Sequence, residues 1–99
     1  MRLTPFEIDA IRRCARRYFG ERCVVRLFGS RADDARRGGD IDLHIEAETI
    51  DKATLARELA FRKELKDIIG EQQVDVLVRA PDHTPRAIDQ IAVETGIRL

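Results

Sequence analysis

The sequence predicts a small α/β (α+β) domain, with helices packed on one face of a short β-sheet. Three observations lead there. The segments run helix, strand, a short helical stretch, strand, helix, strand, helix. Residues 40–46 alternate strictly between apolar and polar, whereas the first segment repeats at helical spacing. And 99 residues with 43% apolar and 36% charged side chains build one core beneath a well-solvated surface.

The first helix opens at Thr4-Pro5-Phe6-Glu7, a capping Thr with Pro at the first helical position and Glu three residues on. Ile8, Ile11, Ala15 and Phe19 continue it and Gly20 ends it. Residues 23–28 (Cys-Val-Val-Arg-Leu-Phe) read as a strand running into Gly29-Ser30. Residues 30–36 are expected to form a short helix, and Arg37-Gly38-Gly39 a turn. The second strand, 40–46, sets Ile41, Leu43 and Ile45 on one face and Asp40, Asp42, His44 and Glu46 on the other.

A long helix is expected over 51–69, capped by Asp51, with Leu55, Leu59, Leu65, Ile68 and Ile69 as its main apolar positions and Gly70 as its stop. These apolar residues read as core rather than interface. The third strand is 74–78, Val-Asp-Val-Leu-Val. Thr84-Pro85 opens a last helix, with Ile88, Ile91 and Ala92 inward and Gly96 as its end.

Composition excludes several functions. No apolar run approaches the roughly 18 residues of a membrane helix, and the N-terminal ten residues lack the apolar stretch of a signal peptide. A cytoplasmic location is expected, with Cys14 and Cys23 as reduced thiols. The 18 bases and 18 acids cancel, but unevenly. Residues 1–37 carry ten Arg against five acids, and residues 38–99 carry eight bases against thirteen acids. Arg12, Arg13, Arg16 and Arg17 form a stripe on the first helix. Near-neutral charge and little aromatic interleaving favour a solvated face over direct nucleic-acid binding.

Three features bear on chemistry. Gly29-Ser30 follows a strand, where a glycine lets a ligand approach the backbone and the next turn offers N–H groups to an anion. Asp40 and Asp42 point to the same side of their strand, roughly 6–7 Å apart; the alternatives are a hard divalent cation between them or a solvated polar face. Asp75 is a carboxylate inside an apolar strand, so it is expected to be paired with an Arg or bound to metal. If the two strands are neighbours, three carboxylates and a phosphate cradle meet, as two-metal phosphoryl or nucleotidyl transfer requires. His44 shares that face and reads as a partly exposed histidine or a substrate or metal contact; His83 is given no role.

Gly29-Ser30-Arg31-Ala32, the nine residues from Arg31 to Gly39, Asp40-Ile41-Asp42-Leu43 and the later Asp75 together resemble the minimal nucleotidyltransferases of the DNA polymerase β-like superfamily. The resemblance spans nearly the whole chain as a single domain, 1–99. It implies the nucleotidyltransferase fold with its small mixed sheet. It further implies a Mg²⁺-dependent enzyme: Gly29, Ser30 and Arg31 on the triphosphate of a nucleotide, and Asp40, Asp42 and Asp75 on two Mg²⁺. Asp75 would also help to activate the acceptor hydroxyl. The donor would be ATP, with AMP passed to a hydroxyl of a partner protein, as in a protein adenylyltransferase.

Larger members of that superfamily present the acceptor on a second domain, so here the acceptor is expected on another molecule. Minimal members are often encoded beside a helical HEPN protein, as antitoxin to its toxin. An Arg-x₄₋₆-His motif on a helix is absent here: Arg79 and His83 are one residue too close and enclose Pro81. The chain is therefore expected to be the transferase half of such a toxin–antitoxin pair. The alternative is a non-catalytic antitoxin that neutralises its HEPN partner by stoichiometric binding.

Overall fold

The computed structural model describes residues 3–29 and 40–99. The short helix and turn expected over 30–39, and with them Ser30, Arg31, Arg36 and Arg37, lie outside the described residues.

Helix α1 runs Pro5–Phe19. Thr4 Oγ1 accepts the Glu7 N–H at 3.1 Å while Glu7 Oε1 accepts the Thr4 N–H at 2.9 Å, so the expected capping box forms. Strand β1 is Val24–Phe28 and β2 is Ile41–Glu46. A single 3₁₀ turn, Ile50–Lys52, leads into α2, Leu55–Ile69. Strand β3 is Val74–Arg79, α3 is Ala87–Thr95, and a two-residue β4, Ile97–Arg98, closes the order.

The fold is α+β, built on a four-stranded mixed sheet in the order β3-β2-β1-β4. β1 runs antiparallel to both β2 and β4. β2 and β3 are parallel, so the chain must cross over between them, and α2 is that crossover.

α1 and α2 cover one face as expected. Ile41, Leu43 and Ile45 point into it and are fully buried with Val25 and Leu27 of β1 against Ile11, Phe19, Phe61 and Leu65. The rings of Phe19 and Phe61 meet at 5.3 Å between centroids, tilted by 59°. The third helix departs from a one-faced arrangement. Its Asp89 bonds His44, which alternates with the core-facing residues of β2, so α3 lies on the opposite face of the sheet.

Two expectations for α2 are corrected. Its cap is Thr54, whose hydroxyl accepts the Arg57 N–H at 3.2 Å; Asp51 belongs to the preceding 3₁₀ turn. Leu55 and Leu59 are not core: they are 68% and 54% exposed. At about 100° per residue, Leu55 stands about 120° and Leu59 about 160° around the helix from Phe61, which α2 buries together with Leu65. Ile91 of α3 is likewise exposed, and Ala92 takes the inward position. Cys14 and Cys23 are both free thiols.

Candidate active site

Parallel pairing of β2 with β3 sets Asp42 directly opposite Asp75. Burial first, then the negative charges of Asp75 and Asp40 and the bond to Asp75, push Asp42's carboxyl above its usual range. Asp40 stands exposed one residue before β2 begins.

Gly29 closes in from the other neighbour. Phe28, the last residue of β1, is the register partner of Asp42. The chain then turns through Gly29 at φ +75°. A Cβ added there would collide with Asp42 Oδ2. The position therefore needs glycine twice over, for its backbone angle and for the carboxylate against it. Thus the structure brings Gly29, Asp42 and Asp75 together with Asp40 near them, on the face of the sheet away from the core. Ser30 and Arg31 lie outside the described residues.

Asp75 also has a cation that the sequence did not reveal. Arg62 of α2 reaches past the outer strand, donating from Nη2 to the Val74 carbonyl at 2.7 Å, and lies 3.8 Å from Asp75 Oδ1. Gln73 Nε2 donates to the same oxygen at 3.4 Å. No local pattern marks Arg62; only the crossover geometry of α2 brings it there.

Asp42 and Asp75 are the carboxylates that could hold a divalent cation here. Two like-charged carboxylates held side by side favour a hard cation, and Mg²⁺ characteristically takes one or two carboxylates plus substrate phosphate oxygens. Among the described residues, however, no group of three or more His, Cys, Asp and Glu side chains converges as a metal cage. Asp40, Asp42 and Asp75 thus do not converge as the expected three-carboxylate set; the register brings together Asp42 and Asp75.

His44 is neither exposed nor part of this pair. It is fully buried, and its Nε2 bonds Asp89 Oδ1 at 2.7 Å. Asp89, 2% exposed, also accepts from Arg86 Nε at 3.0 Å and from the Arg86 backbone N–H at 2.7 Å. The Arg86 hydrogen bonds, reinforced by His44 against the cost of burial, hold the Asp89 carboxyl far below the usual carboxylate range. The signal available in the sequence was Asp89 itself, an acid three residues after the helix cap Arg86. Further along the same face, Glu46 bonds both Arg26 and Arg79.

On the first helix, Arg13 pairs with Asp9 at 2.8 Å and Arg17 with Glu64 at 2.7 Å, and all four arginines of the stripe are exposed. Among the described residues no helix is long and apolar enough to cross a membrane. The chain matches no family model, no curated protein and no solved structure.

Proposed function

We propose that this chain is a Mg²⁺-dependent nucleotidyltransferase that passes AMP from ATP to a hydroxyl of a partner protein. One observation carries the reading: Asp42 and Asp75 face each other across parallel strands with the backbone of Gly29 against Asp42. These are three of the residues that resemble the nucleotidyltransferase motif, and they come from three separate stretches of chain.

In this reading Asp42 and Asp75, with Asp40, would hold divalent metal. The metal supplies charge stabilisation for the attacking and leaving oxygens. The acceptor hydroxyl attacks the α-phosphorus, the bond to the bridging oxygen breaks, and pyrophosphate leaves. Asp75, the more exposed of the two at 51% of its side chain, takes up the hydroxyl proton. Gly29 and Ser30 hold the β- and γ-phosphates through backbone N–H groups, and Arg31 offsets their charge.

The acceptor is a tyrosine or other hydroxyl on a HEPN-domain toxin, which places the pair in the cytoplasm as a toxin–antitoxin system; this part rests on the resemblance alone. A second reading, a non-catalytic antitoxin acting by stoichiometric contact, draws support from the lack of a three-ligand cage among the described residues.

The test incubates the chain with labelled ATP, Mg²⁺ and the helical protein encoded beside it. Label should appear on the partner with the wild type and vanish with Asp42→Ala. Absence of transfer, with Asp42→Ala protecting against the toxin as well as wild type, favours the binding module.

A further inference from the structure

The sheet ends on one side at β3, and among the described residues no strand lies beyond it. Its ladder to β2 uses the odd-numbered residues: Gln73 O accepts the Ile41 N–H and Arg79 O accepts the Ala47 N–H. The alternation of a strand therefore turns the N–H and C=O groups of Val74, Val76 and Val78 outward. Val74 O is taken by Arg62. The outward groups of Val76 and Val78 have no partner among the described residues.

A strip of apolar surface stands beside this edge. Leu55, Leu59 and Arg62 fall on one stripe of α2 by helical spacing. Arg62 fixes that stripe against β3, and Leu55 and Leu59 are the two most exposed large apolar side chains of the helix. An open ladder flanked by leucines is a surface that another strand and its helix can cover.

We propose that the occupant is a second copy of this chain, paired β3 to β3 in antiparallel, so that two four-stranded sheets become one. Two-fold closure makes residues symmetric about one centre face each other. Centred on Leu77, the pairing sets Leu77 against Leu77 of the second copy, Val76 against Val78, and Asp75 against Arg79. Apolar side chains then meet apolar ones, and Asp75 faces the stem of Arg79, whose guanidinium already serves Glu46 and the His83 carbonyl; opposite charges stand on the two strands with no like charges opposed. Hydrogen-bond parity agrees, because the outward-facing Val76 and Val78 become a bonded pair. Centres at Val76 or Val78 satisfy the parity but leave Asp75 or Arg79 facing Leu77. Arg62 stays in place, since Val74 lies at the end of the paired segment.

This pairing is independent of nucleotide transfer. It also sets Arg79 of the second copy beside Asp75 of the first, so each candidate site borders the dimer axis.

Light scattering and sedimentation on the full chain test it, together with oxidative cross-linking. A dimer is expected at about 100 μM. Leu55→Glu with Leu59→Glu should weaken it at least about ten-fold, with the far-ultraviolet circular dichroism unchanged because both positions are exposed. Leu77→Cys should cross-link under mild oxidation, since a non-bonded antiparallel pair brings its Cα atoms to about 4.5 Å, within disulfide range. Gln73→Cys, far from the axis, and the wild-type thiols should not cross-link. A monomer at that concentration, a dimer indifferent to the glutamates, or cross-linking at Gln73→Cys in place of Leu77→Cys overturns the proposal. The monomer result would leave the edge to a different protein.

Discussion

Asp42 and Asp75 occupy the same level of two parallel strands, carboxyl to carboxyl, and the nearest named cation, Arg62, stands 3.8 Å from Asp75 on the side of the open edge. Asp42 lies in the negative field of Asp75 and Asp40.

Protons come first. Asp42's carboxyl is raised above its usual range, so folding favours its protonated form. Its contribution to stability is complete below the unfolded-state value and is lost as pH rises through the folded-state value. At neutral pH without metal, Asp42→Asn should therefore unfold at a higher temperature than wild type, and the gap should close near pH 3. Thermal melts across that range check it.

In the proposed function divalent cations would act on the same charge. Mg²⁺ or Mn²⁺ at about 100 times its dissociation constant should stabilise the wild type by about 2.7 kcal/mol, from mass action on the folded state. Asp42→Asn and Asp75→Asn should lose most of that gain. Melting temperature against metal concentration is the measurement, and it needs no nucleotide and no partner.

Gly29 tests the close approach to Asp42. Gly29→Ala must hold a left-handed backbone angle and find room against a carboxylate. A cost of about 2 kcal/mol is expected, lowering the melting temperature by roughly 8–16 °C in a domain this small. In an Asp42→Ala background the steric part of that cost should disappear, leaving the backbone part. The difference between the two costs is the coupling of the two residues.

The buried His44–Asp89 bond should be among the costliest to break. Asp89→Ala leaves an imidazole inside the fold with no partner on Nε2, and Nδ1 has none among the described residues. A loss of about 3 kcal/mol is expected by denaturant unfolding. Asp89 is held far below the usual carboxylate range, so its stabilisation is present above the unfolded-state value and lost as pH falls toward the folded one. Asp89→Asn should flatten the acid limb of the stability profile.

Cys14 offers a check on packing between α1 and α2. Burial, with a hydrogen bond to Glu64 at 3.3 Å and its charge, pushes the thiol up to about 12. Alkylation at pH 8 should be slow in the folded protein and rise on unfolding. Glu64→Gln should speed it by lowering the thiol's value, while removing the Arg17 ion pair.

Much of the fold could be read along the chain because its signals are local. Thr4 and Glu7 cap the same turn that they define, and the two-residue period of 41–46 separates core from polar face without knowledge of what covers either. Gly29, Asp40 and Asp42 are near one another in sequence, and strand alternation put Asp42 on the polar face, whereas Asp40 falls just before β2. Other features depended on which surface packs where. Leu55 and Leu59 looked like core because they are apolar and helical; whether they are buried depended on the rotation of α2 over the sheet, which Phe61 and Leu65 decided.

Asp75 marks the boundary most clearly. By itself the sequence determined that a carboxylate interrupts the apolar strand 74–78; the expectation that burial would force a partner on it is corrected, because Asp75 is exposed. Nor did the sequence determine what stands beside it, because strand order and register are set by a crossover whose packing involves the whole domain. Tertiary structure decided that β3 lies parallel to β2 with Asp75 level with Asp42, and that Arg62 reaches over the edge. It also buried His44 under α3, because the face opposite the main core was covered by a helix whose inward residue, Asp89, is charged and therefore required a hydrogen-bonding partner inside the fold.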